Sequence, residues 1–144
     1  MNRDVEIIVA GTQDDGSGNE IVTDLRTVGQ YFERNGCRYL LYQEQDAESN
    51  AITANTLKMR DNVMELSRKG NIHSRMIFEA GQSHPTDYVT VWGVLQLEVY
   101  TEDLKYLWTE TEAGIRITYR LLMTGEFLSL NKLVIKIRNI SAKH

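Results

Sequence analysis

Arg68 follows Met64 and Leu66 at intervals of two, so a strand through these residues turns its guanidinium toward the apolar side. A cation facing a core must be paired or sit at an opening, because burying it alone costs several kcal/mol. The chemistry open to such a residue is capture of an anion or a ligand carboxylate. The alternative is an internal hydrogen-bond network or a rim position. Tyr42 and Tyr119 bring hydroxyls that need partners if buried, and Lys58 adds a cation shortly before the Arg68 strand. Arg68, Tyr42, Lys58 and Tyr119 are therefore the candidate ligand-binding residues.

Other chemistries find less support. His73, His84 and His144 are not spaced i, i+2 or i, i+4 with each other or with a cysteine, so no metal-ligand pattern exists. Ser83 and His84 are adjacent but lack a nucleophile-elbow motif. Cys37 lies beside Arg38, and a nearby cation can lower a thiol pKa. Its place after a turn explains exposure more simply than function. The carboxylate pairs Asp14 with Asp15, Glu102 with Asp103 and Glu110 with Glu112 fall in turns or at strand ends, where solvation accounts for them. No glycine-rich phosphate loop opens a helix. No catalytic residue, metal ligand or cofactor is assigned.

The chain has 144 residues and a formal net charge of −4, with both signs interspersed. Nucleic-acid binding rests on clustered Lys and Arg, and is not expected here. The densest basic stretch, Lys132, Lys136, Arg138 and Lys143, alternates with Leu133, Ile135 and Ile137 as a solvated strand face does. A single cysteine allows no internal disulfide. The basic start is followed by Asp4 and Glu6 rather than by an apolar segment, so no signal peptide is read, and no run suffices for a membrane helix. These features point to the cytoplasm and to one domain over residues 1–144.

The elements that must position the candidate residues read as strands. The clearest is Ile115 to Thr124: Ile115, Ile117, Tyr119, Leu121 and Met123 share one face, opposite Arg116, Thr118 and Arg120. Further strands are expected over 5–13, 20–32, 37–45, 52–59, 63–68, 74–79, 88–101, 104–111 and 128–140. Residues 80–87, with Gly81 and Pro85, read as irregular, and Gly93 as a bend inside a long strand. Asn35-Gly36 is the strongest hairpin signal, since both residues tolerate the positive φ of a type I′ turn. About ten strands with short links imply an all-β antiparallel meander, closed or nearly closed into a barrel rather than stacked as a sandwich.

Thr27-x-Gly29-x-Tyr31, Tyr42, Lys58, Arg68-x-Gly70, Phe78, Tyr88, Gly93-x-Leu95-x-Leu97, Thr101, Glu112-x-Gly114-Ile115 and Tyr119 occur in an order that resembles the YwiB-like family of small bacterial proteins. The resemblance runs from Val5 to about Ile140. It implies a calycin-like, lipocalin-type barrel of about 8–10 strands, and it brings no substrate, cofactor or catalytic residue with it. The reading that follows is a noncatalytic binding module holding a small amphipathic ligand. The alternatives are a structural or interaction barrel with a filled core, and an enzyme using residues at the barrel mouth. Oligomeric state is not legible in these residues.

Overall fold

A computed structural model describes residues 3–46 and 48–139 of the chain; Lys143 and His144 lie outside them. The described residues form ten strands: β1 (Arg3–Asp14), β2 (Glu20–Arg34), β3 (Cys37–Gln45), β4 (Ile52–Arg60), β5 (Val63–Lys69), β6 (Ser74–Glu79), β7 (Ser83–Thr90), β8 (Gly93–Trp108), β9 (Glu112–Met123) and β10 (Glu126–Asn139). All ladders are antiparallel, in the order β6-β5-β4-β3-β2-β1-β10-β9-β8-β7. First and last strands pair directly, Ile7 opposite Ile137. The expected all-β barrel is thus the observed architecture.

The ends of the sheet meet between β6 and β7. There His73 and Val89 exchange backbone hydrogen bonds of 2.9 and 2.8 Å. Backbone groups on a strand alternate in direction, so Pro85 faces the same neighbour as Val89 and has no N–H to offer it. The Thr86 hydroxyl compensates by donating to the Arg75 carbonyl at 2.8 Å. This seam is the weakest line of the nearly closed wall.

The inward parity carries the core: Ile7, Leu40, Leu57, Met64, Phe78, Val99, Ile115, Ile117 and Ile135 are fully buried. On β9, Tyr119 and Leu121 pack against that core, but Met123 is 37% exposed, because the strand ends at the Thr124-Gly125 turn. On β3 the inward residues are Leu40 and Tyr42, while Tyr39 turns outward and stacks on Phe32 at 4.8 Å.

Three expected boundaries change. Residues 83–87 are strand, not irregular, because β7 is needed to close the barrel. Gly93 is not a bend within a strand; with φ 136° it follows a hairpin at Val91-Trp92, where the Thr90 hydroxyl binds Gly93 and Trp92 backbone. Residues 88–90 therefore end β7, and the rest of the segment expected at 88–101 is joined by a bulge between Thr101 and Asp103 to residues 103–108, the two forming β8, which stops short of 111. A bulge shifts side-chain parity without breaking the strand, so alternation alone reads as two strands.

Asn35 and Gly36 adopt φ of 53° and 77°, and Arg34 pairs with Cys37 across them. A Cβ at Gly36 would meet no atom within 4 Å, so a substitution there strains only the backbone. Gly36→Val is expected to lower stability by about 1–3 kcal/mol. A urea denaturation midpoint equal to that of the parent chain would contradict this.

Candidate ligand-binding cleft

The barrel wall parts on one side. β2 pairs with β1 along its length, from Arg3 opposite Tyr31 to Asp14 opposite Glu20. Its ladder with β3 runs only from Arg34 opposite Cys37 to Gln30 opposite Leu41. Beyond Gln30 the two strands separate. A cleft of about 180 Å³ enters there, lined by Leu25 of β2, Tyr42 and Glu44 of β3, Leu66 and Arg68 of β5, Met76 of β6, and Tyr119 of β9.

Arg68 anchors the polar part. Its Nη2 donates to Glu44 Oε1 at 3.0 Å and its Nε to Asn55 Oδ1 at 3.3 Å. Asn55 Nδ2 donates to the same Glu44 oxygen at 2.8 Å, and Asn55 is itself buried. Burial pulls the Arg68 pKa down, but the Glu44 charge and hydrogen bond outweigh it and raise the pKa overall. The network leaves Nη1 of Arg68 uncommitted, since a guanidinium has five donors in fixed directions. The side chains of the pair are 27% and 31% exposed, and its geometric role is to hold the guanidinium in place.

Tyr42 and Tyr119 face the same space. Tyr42 is 6% exposed, and burial first, then the Glu44 charge, pushes its pKa up to about 12. Burial likewise pushes Tyr119 up to about 12. Among the described residues neither hydroxyl takes a hydrogen bond. Both are neutral donors at ordinary pH and both residues line the cleft. The Ser74 hydroxyl, on the residue of β6 in register with Arg68, is buried without a partner.

Raised tyrosine pKa values make a pH prediction. The unfolded phenols ionise near pH 10 and the folded ones near 12, so between these values the unfolded state binds fewer protons and stability falls as pH rises. Each unit of difference is worth about 1.4 kcal/mol. The urea midpoint is expected to drop between pH 10 and 12, and to drop less in Tyr42→Phe and Tyr119→Phe. An identical slope in both variants would assign the effect elsewhere.

Of the four candidate residues, the structure brings three together and leaves Lys58 apart. Leu57 and Met59 take the inward parity on β4, which turns Lys58 to the outer wall, 5.9 Å from the Tyr39 ring centroid and in register with Glu65. Sequence reasoning missed Glu44 and Asn55. Glu44 follows Leu40 and Tyr42 at intervals of two, but Tyr39 and Leu41 on the other face hid that parity. Asn55 carried no signal beyond its alternation with Leu57. His84 is half-buried on β7 with Nε2 3.0 Å from Glu79 Oε1. Cys37, expected to be exposed at its turn, is buried. A larger hollow of about 380 Å³ lies at the opposite end of the barrel, between Arg3, Tyr31, Arg38 and Trp108. There Tyr31 donates to Glu33 at 3.0 Å and the Arg38 guanidinium covers the Trp108 ring at 4.7 Å, while the Trp108 indole N–H is buried without a partner.

Comparison with known proteins agrees with this architecture. The crystal structure of the ywiB protein from Bacillus subtilis superimposes with a TM-score of 0.84 at 22% identity, covering 96% of this chain and 92% of that one. At that identity the likeness speaks for the fold. No curated protein sequence matches. The family model described as a domain of unknown function, DUF1934, matches residues 7–135, nearly the whole barrel. The chain therefore belongs to the DUF1934 family, as a YwiB-like β-barrel.

Proposed function

We propose that the protein is a noncatalytic binding barrel whose cleft between β2 and β3 receives a small amphipathic ligand. The observation that carries this reading is the cleft itself, lined by Tyr42 and Tyr119 beside the Arg68 guanidinium that Glu44 and Asn55 hold in place. Two phenol hydroxyls without protein partners along one cleft can donate to an acceptor that arrives from outside. Arg68 Nη1 and the two phenols suit a carbonyl, hydroxyl or carboxylate oxygen, and Leu25, Leu66 and Met76 suit a short apolar body. The cleft's 180 Å³ is the share of liquid volume of about six waters, which limits the enclosed part to a few heavy atoms. A cytoplasmic location accords with one unpaired thiol, Cys37.

That volume lies below the ~300–1,000 Å³ of most ligand pockets, and this favours a second reading, a filled barrel with an ordered-water network under Arg68. Native mass spectrometry of protein purified without denaturation separates the two. A small-molecule adduct that is lost in the Tyr42→Phe, Tyr119→Phe double variant, with folding retained, is the result expected of a binding barrel. Only the bare chain mass in both proteins leaves the filled barrel.

A further inference from the structure

The separation of β2 from β3 has a second consequence. Residues 20–29 of β2 are bonded to β1 on one side and have no strand partner on the other among the described residues. Natural sheets blunt such edges, since unpaired N–H and C=O groups template pairing with another chain. No proline or bulge protects this edge, and Val22 and Val28 are each 61% exposed on either side of Asp24 and Arg26.

Its sequence, Val22-Thr23-Asp24-Leu25-Arg26-Thr27-Val28, reads as a palindrome in which the two charges are complementary. We propose that the edge is occupied by the β2 of a second copy, antiparallel, with the two-fold axis at Leu25. Val22 then lies opposite the partner's Val28, Thr23 opposite the partner's Thr27, and Asp24 opposite the partner's Arg26. Leu25 meets the partner's Leu25. Apolar, hydroxyl and opposite-charge pairs are the cross-strand combinations that stabilise antiparallel ladders. A two-fold interface requires this self-complementarity, with each pair occurring twice.

Backbone phase agrees independently. Arg34 and Cys37 flank a two-residue turn, so Arg34 directs its N–H and C=O toward β3. Counting back by twos, Val28, Arg26, Asp24 and Val22 direct theirs to the same side, which beyond Gln30 is the open edge. These are the residues that must exchange backbone hydrogen bonds in the proposed register. Leu25 then falls at a non-hydrogen-bonded position, where side chains come closest, and it faces the cleft. The side chains of Asp24 and Arg26 lie on the outer face between the exposed valines. Among the described residues, the ion pair of Arg26 at home is a distant one, 3.8 Å to Glu6. The interface joins two barrels through one continuous sheet, along the same separation of β2 from β3 where the cleft enters. A contact this small belongs to the weak, reversible class of association.

Sedimentation velocity of the full chain over a concentration series, from micromolar to millimolar, tests it by charge swapping. The parent chain is expected to show a monomer–dimer equilibrium. Arg26→Asp and Asp24→Arg each place like charges opposite one another twice, and each should weaken association by about tenfold or more. The double variant Asp24→Arg, Arg26→Asp restores the opposite-charge pairs and should recover dimerisation. Circular dichroism and thermal melting of every variant establish that the barrel is folded. A parent chain that stays monomeric throughout overturns the proposal, as does a dimer indifferent to the single reversals or not rescued by the swap.

Discussion

Phe78→Ala is expected to lower the unfolding free energy by about 3–5 kcal/mol, the range for truncating a buried phenylalanine. Phe78 is 0% exposed, and its ring centroid lies 4.8 Å from that of Tyr119 at 58° between planes. The cost combines the lost burial of the ring with a cavity that the surrounding strands cannot close. Collapse is harder here than in a helical core, because moving β6 inward would pull on the seam with β7, held by the His73–Val89 bridge and by the Thr86 hydroxyl on the Arg75 carbonyl. Urea unfolding followed by circular dichroism measures the loss. A change below about 1 kcal/mol would show that the residue sits in a site able to collapse, contrary to the packing described.

Gly29→Ala should be the most costly change of a single methyl. A Cβ at this position would overlap the Leu41 carbonyl oxygen and the Ile7 Cδ1, and would press on Tyr42 Cβ. The carbonyl oxygen is backbone and cannot rotate away, so β2 and β3 must separate at the top of their ladder. Overpacking of this kind costs about 1–3 kcal/mol. Its φ lies outside the left-handed region, so the requirement is for space and not for backbone freedom. Gly36→Ala supplies the contrast, since it meets no atom and is penalised only by its positive φ. Equal stability of Gly29→Ala and the parent chain would mean that the strands diverge earlier than Gln30 opposite Leu41, and the cleft would have to be redrawn.

The strand pattern was legible where one face is buried and the other wet. On β9, Ile115, Ile117 and Tyr119 alternate with Arg116, Thr118 and Arg120, and the structure places those sets inside and outside. It was illegible where both faces carry apolar residues or where parity slips. Tyr39-Leu40-Leu41-Tyr42 offered two cores, and only the ladder with β4 shows that Leu40 opposes Leu57 inside. The bulge after Thr101 reversed the phase of β8 in mid-strand and split it on paper. Val91-Trp92 carries none of the residues that favour positive φ, so its hairpin had no signal except Gly93, which reads equally as a bend. The cleft was half legible. Arg68 announced itself through its parity with Met64 and Leu66, whereas Glu44 and Asn55 became its partners only when three strands were set side by side.

Alternation, the Asn35-Gly36 turn and the short links were sufficient by themselves to determine an all-β antiparallel barrel, because period and turn chemistry act within a few residues along the chain. The sequence also determined that Arg68 needs a partner, since the cost of burying an unpaired charge depends on the charge and not on the fold. Only the tertiary structure decided which partner it has, that Lys58 lies on the far side of the wall, and that β2 leaves β3 beyond Gln30 to open both a cleft and a strand edge. Those outcomes depend on barrel closure and strand divergence. They are set by contacts between residues far apart in the chain, for which no local pattern codes.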